Sequence, residues 1–300
     1  MKLGRVIKVV IAVVVLVIVV VPVCGVLFAD RIAKTGIEKG GTYALGVNTA
    51  LSNASIGVFS GKFSLSGLNV SNPAGFEKDP YFLKLGNGGV DVSLASLTKD
   101  VVEVPRFELA DVNVTLIKGD KGSNYQIILD NLARLKPKDG KPPEKKPEGE
   151  GKKFVVREIV IRKVNVKVDM LGIGGGLTSV NVPIDEITLS NVGTGGGGGV
   201  DIPEIAGVVI QAILASAAAH GGGLIPADVA GDLSGRLQQI GNLGGEGVKV
   251  VSEVGGKVAD VTKDVAGAIK DVGKEAESVV GGLKDIFGKP KADEKKSDKK

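Results

Sequence analysis

Between Lys8 and Asp30 the chain runs for 21 residues without a charge, preceded by Lys2, Arg5 and Lys8 and closed by Asp30 and Arg31. At about 1.5 Å of rise per residue, a helix of that length spans roughly 30 Å, the thickness of a bilayer's hydrocarbon core. The run reads as a transmembrane anchor. A cleaved signal peptide is the competing reading, but its apolar core usually covers about 7 to 15 residues and ends at a small-x-small site. Leu27-Phe28-Ala29 fits such a site poorly, and Cys24 lacks the small preceding residue that lipoprotein processing needs. With the three N-terminal cations held in the cytoplasm, the positive-inside rule places everything after Asp30 on the other side.

The remaining residues suffice for one or two domains. Trp is absent, aromatics make up 4%, and Gly accounts for 45 of 300 residues. A core built from Val and small side chains suits sheets better than helical bundles. Of the 38 basic and 34 acidic residues, 13 and 7 lie within 136–153 and 289–300, which leaves the rest slightly acidic. The basicity belongs to solvated segments, and no basic stripe interleaved with aromatics remains for nucleic acid.

Period-two alternation runs from Tyr43 to Val192, as in Ser55–Gly61, Lys62–Val70, Gly89–Leu97, Val101–Ile117, Phe154–Met170 and Leu177–Val192. These read as strands, with turns at Ser60-Gly61, Asn72-Pro73-Ala74-Gly75 and Gly86-Asn87-Gly88-Gly89. One helical insertion starts at Ser123 or Asn124, carries Tyr125, Ile128, Leu129 and Leu132 on one face, and ends at Pro137. A short repeat, aliphatic-x-x-aliphatic-Asn-aliphatic, recurs at Leu65–Val70, Leu109–Val114, Ile161–Val166 and Leu177–Val182. Its three-residue step breaks strict alternation, which a β-bulge in each copy repairs, and repeated bulges build a curved sheet.

After Val192 the texture becomes helical. A helix begins at Asp201 and Pro203 and runs to about His220, and another runs from Asp228 to about Gln239. The aliphatic spacing from Val248 to Phe287 predicts a long amphipathic helix. The expected organisation is therefore an anchor over 1–30, a β-rich region over 31–135, a Lys/Pro linker over 136–153, and sheet again over 154–194. A Gly-rich spacer with amphipathic helices follows over 195–287, and a charged tail over 288–300.

Catalytic apparatus is not apparent. Gly193, Gly195 and Gly198 match G-x-G-x-x-G only within a polyglycine run and lack the acidic partner of a dinucleotide site. The single histidine, His220, sits where a C-terminal helix cap is expected. With one Cys and scattered acids, no metal or other cofactor is expected.

The chain from the anchor to about Val192 resembles the AsmA-like family of envelope proteins. The residues that carry this are the anchor, the string Gly61–Phe76 with its Leu68-Asn69-Val70-Ser71-Asn72-Pro73-Ala74-Gly75-Phe76, Leu83–Leu85, Val90–Leu97, Phe107–Leu116, and Ser123-Asn124. The resemblance implies a single-pass inner-membrane protein whose periplasmic bulk is α+β: a curved antiparallel sheet forming an apolar groove, followed here by a helical C-terminal region outside the shared pattern. It implies lipid handling or envelope biogenesis, with phospholipid acyl chains as ligands; the lack of catalytic motifs, separately, leads to no enzymatic activity being expected. The expected groove lining is Ile56, Phe63, Leu65, Leu68, Val92, Leu94, Val112, Val114, Val164 and Val166. The alternative is a structural scaffold that engages envelope proteins or a second copy through its C-terminal helix.

Overall fold

The computed structural model describes residues 29–57, 59–119, 122–135, 152–171, 177–195, 198–221, 224–240, 248–254 and 257–260. The expected anchor, most of the Lys/Pro linker, the segment from 261 to 287 and the charged tail lie outside them.

Four helices and one large mixed sheet make an α+β fold. Helix α1 (residues 29–45) precedes strands β1 (Thr49–Gly57), β2 (Lys62–Ser71), β3 (Tyr81–Asp91) and β4 (Val101–Gly119). A short β5 (Gly122–Ser123) leads into α2 (Asn124–Ala133); then come β6 (Lys153–Leu171), β7 (Leu177–Val192), α3 (Ile202–His220), α4 (Ala227–Ile240), β8 (Lys249–Val254) and β9 (Lys257–Asp260). The order across the sheet is β1-β2-β3-β4-β6-β7-β8-β9, with β5 paired to β4.

The expectation of a purely antiparallel sheet is corrected at one seam, where β4 and β6 pair in parallel from Val101 with Lys153 to Lys118 with Met170. Parallel neighbours need a crossover of a dozen or more residues, usually helical. The stretch containing α2, which looked like an insertion between antiparallel strands, is that crossover. Its start follows the sequence reading: Ser123 is the N-cap, Gln126 Oε1 accepts from the Ser123 N–H at 3.3 Å, and Tyr125, Ile128, Leu129 and Leu132 are buried. Asn124 Nδ2 donates to Asn72 Oδ1 at 2.8 Å and to the Thr115 carbonyl at 2.7 Å, which ties the 72–80 turn to the head of α2.

The repeat marks a crease. Gly67, Asp111 and Lys163, the third residue of the first three copies, have φ of 67°, 61° and 53°. Laid on the register, Ser52, Gly67, Gly86, Asp111, Lys163 and Asp185 stand opposite one another across six strands, each at a gap in the ladder. Because every strand carries its extra residue at the same level, the register resumes unshifted beyond it. Apolar residues three apart, such as Leu109 with Val112 and Ile161 with Val164, thus face the same side. The fourth expected copy, Leu177–Val182, is regular strand; the step in β7 falls at Ile184–Ile187. The expected turn at Gly86–Gly89 lies inside β3, where Gly88 leaves room for Leu65 and Leu109: a Cβ there would come within 2.9 and 3.1 Å of them.

The C-terminal expectation is also corrected. Residues 249–254 and 257–260 form strands rather than the first turns of a long helix, and β8 pairs with β7. Consecutive β-branched residues at Val250 and Val251 beside a free sheet edge favour a strand over a marginal helix. Helices α3 and α4 form as expected, α3 capped by Asp201 Oδ1 accepting from the Glu204 N–H at 3.0 Å. His220 is not a cap: Gly221 occupies that position, and His220 Nε2 lies 2.7 Å from Ser252 Oγ on β8.

Helix α1 closes the other edge of the sheet. Asp30, Lys34 and Glu38 lie one turn apart along one face of it. Asp30 Oδ1 accepts from the Ile56 N–H at 2.6 Å and Glu38 Oε1 from the Leu51 N–H at 2.9 Å, while Lys34 Nζ donates to the Ser52 carbonyl at 3.2 Å. Backbone groups that would template a further strand are thus occupied. The face of the sheet away from the helices is polar, with Arg106 and Arg162 linking Glu108, Glu158 and Glu186 across β4, β6 and β7.

Candidate apolar cleft

The inner face of the sheet has two fields. In one, helices close over the strands: α2 packs on β4, α3 on β6 and β7, and α2 and α3 both on α4. In the other, the sheet and its helices stand apart and enclose a cleft of about 660 Å³. Its floor is β1 to β4 and the start of β6, with Leu65, Leu83, Leu85, Val104, Leu109 and Val156 among the lining. One wall is α1, through Ile32, Ala33, Ile37 and Leu45; the other is α3, through Ile202, Ile205, Val209 and Ile213. The walls meet closely because α1 carries glycine at the crossing: a Cβ on Gly40 would fall 2.8 Å from Ile202 Cγ2.

The cleft has a wet end and a dry end. Near the β1–β2 hairpin and the 93–97 turn it is bordered by Ile32, Lys62, Leu94, Leu97 and Lys152. At the other end it crosses the crease and closes at Leu45, Thr49, Val70, Leu83 and Val112, all buried. Thr49, Lys62 and Lys152 are the polar side chains of the lining, and Thr49 Oγ1 is buried without a hydrogen-bond partner. A site so made acts by removing apolar surface from water, at about 0.8 kcal/mol per buried methylene, and its volume falls within the roughly 300–1,000 Å³ common for ligand sites.

Seven of the ten residues expected in a groove line this cleft: Ile56, Phe63, Leu65, Leu68, Val92, Leu94 and Val112. Val114, Val164 and Val166 do not. They lie farther under the helices at 1%, 2% and 0% exposure, packed in the covered core. The α1 wall corrects the expectation that residues 31–45 open the β-rich region: they are helical. Their signal is Ile37, Gly41, Ala44 and Leu45, apolar or small at helical spacing.

Helix α3 is the one helix among the described residues long and apolar enough to cross a membrane, but 61% of that apolar window is buried inside the molecule. It reads as a core helix. No protein-family model matches the chain, and no curated protein matches it in sequence.

Proposed function

We propose that this chain is a membrane-anchored envelope protein that takes a phospholipid acyl chain into the cleft between α1, α3 and the creased sheet. The observation that carries the reading is the lining itself: a long, nearly continuous aliphatic surface left unfilled by the protein's own helices. The sequence resemblance to AsmA-like proteins supports the same reading and adds the inner membrane and periplasm as its setting. The eight strands in line among the described residues, at about 4.8 Å each, do not span the distance between two membranes. Its action is to shield or hand over a lipid chain.

The test uses the full chain reconstituted into vesicles containing a phospholipid with a photoreactive group on its acyl chain. After illumination, adducts are mapped by peptide mass spectrometry. Adducts on the Leu83–Leu85 and Val102–Phe107 segments are expected. Adducts confined to residues 9–29 would refute the reading.

A further inference from the structure

Large apolar side chains left in water are few among the described residues, and they are not scattered evenly. Ile127, Leu224 and Val251 lie apart from one another, but Ile32, Phe59, Leu94 and Leu97 come from three chain segments that meet at the mouth of the cleft, exposed by 69%, 88%, 44% and 42%. Backbone and side-chain contacts hold the segments together. Asp30 at the head of α1 accepts from the Ile56 N–H at the end of β1, and the Gly61 carbonyl accepts from the Val92 N–H at 2.7 Å. Leu94 reaches back to Gly61, where a Cβ would touch its side chain at 3.4 Å. Phe59 stands in the β1–β2 turn between Gly57 and Gly61, both of which border the cleft. An aromatic ring that exposed contributes nothing to the protein's own core.

We infer that this rim is a membrane-docking surface: Ile32, Phe59, Leu94 and Leu97 enter the acyl region of a lipid bilayer, so that the cleft opens into the membrane and not into water. The inference rests on the proposed lipid-binding role of the cleft and adds where the lipid comes from. Two observations select a bilayer as the occupant. The last residue of the uncharged run Val9–Ala29, Ala29, lines the cleft beside Ile32. Around the apolar tips stand Arg31, Lys62, Lys99 and Lys152; of the nearby acids, Asp30 is engaged with the sheet edge and Glu103 with Lys99 and Arg157, while Asp91 and Asp100 are exposed. Apolar tips flanked by cations suit an interfacial surface. A lipid chain entering there would pass from bilayer to cleft without meeting water.

The full chain carries one cysteine, Cys24, so Cys24→Ser gives a background for single labels. An environment-sensitive fluorophore is placed at Phe59→Cys, at Leu97→Cys, and at Arg157→Cys on the polar face as control. Each protein is reconstituted into phosphatidylcholine–phosphatidylglycerol vesicles with brominated acyl chains. Quenching at 59 and 97 about fivefold above that at 157 is expected for tips immersed in acyl chains. Quenching at both sites no greater than at 157 would overturn the docking surface, as would a Phe59→Cys crosslink between two copies of the chain in place of quenching.

The photoreactive-lipid experiment separates the two ideas. Cleft adducts without rim quenching leave lipid binding standing and remove the docking surface; rim quenching without cleft adducts does the reverse. With both in place, the double variant Phe59→Ser and Leu97→Ser, at exposed sites that leave the core intact, should slow cleft labelling by about tenfold. An unchanged rate would show that the rim takes no part in loading.

Discussion

Replacing Gly67 with alanine puts the crease under direct test. Gly67 has a φ of 67°, and a Cβ there would stand 2.5 Å from Ser52 Oγ and 2.9 Å from Ser52 Cβ on the neighbouring strand. The left-handed backbone alone costs an L-residue about 1–2 kcal/mol, partly offset by about 0.4–1 kcal/mol from a less flexible unfolded chain. The hydroxyl can rotate aside, but the Cβ cannot without moving β1 from β2, and such overpacking adds about 1–2 kcal/mol. Gly67→Ala should therefore destabilise by about 2–3 kcal/mol, read from urea titration of the detergent-solubilised chain by far-ultraviolet circular dichroism. Ser52→Gly removes the clash and leaves the backbone strain. The double variant should regain about 1 kcal/mol relative to the sum of the single changes, the kind of coupling that contacting residues show. A Gly67→Ala protein within about 0.5 kcal/mol of the parent would refute this account of the crease.

The same crease predicts a gain at Lys163, whose φ of 53° glycine would adopt without strain: Lys163→Gly should raise the unfolding free energy by about 0.5 kcal/mol after the entropic loss, seen as a higher midpoint in the same titration. Val164→Asp buries a carboxylate without a partner in the helix-covered core and should cost more than about 4 kcal/mol, giving little soluble protein. Phe63→Asp, at a half-buried position on the floor of the cleft, should fold and lose the photoreactive lipid adducts. Burial pushes the His220 imidazole below its ordinary value, so the folded state favours the neutral ring. Its contribution is complete above the unfolded value near pH 6.5 and declines as the pH falls below that. His220→Gln should flatten the stability profile between about pH 7 and pH 5, whereas the carboxylates titrate lower.

What the sequence made legible was whatever depends on local spacing. Tyr125, Ile128, Leu129 and Leu132 announce α2 because three- and four-residue steps belong to one helical face, and Asp201 with Glu204 announces the start of α3. The steps Leu65–Leu68, Leu109–Val112 and Ile161–Val164 revealed the crease for the same reason. Strand direction was not legible, since Val112 and Val164 alternate identically whether β4 and β6 run parallel or antiparallel. Nor was the end of the cleft: the face bearing Val112 continues through Val114, and only the packing of α2, α3 and α4 decides where it is sealed. At Val250–Val251 a neighbouring strand overrode a helical spacing, as tertiary context often does.

The parallel seam bears on how the chain assembles. Strands β1 to β4 join neighbours in sequence, as do β6 and β7, so either group can collapse from nearby contacts, whereas β8 reaches β7 only after α3 and α4. The β4–β6 pair instead unites residues 52 positions apart, as in Arg106 with Glu158. Closing so long a loop is slow relative to hairpin formation. Assembly should then proceed as two groups of strands whose β4–β6 seam forms after their hairpins, the two groups being joined in sequence through residues 136–151. Cutting the chain there leaves each half with its own strands, and the two pieces should find one another in solution.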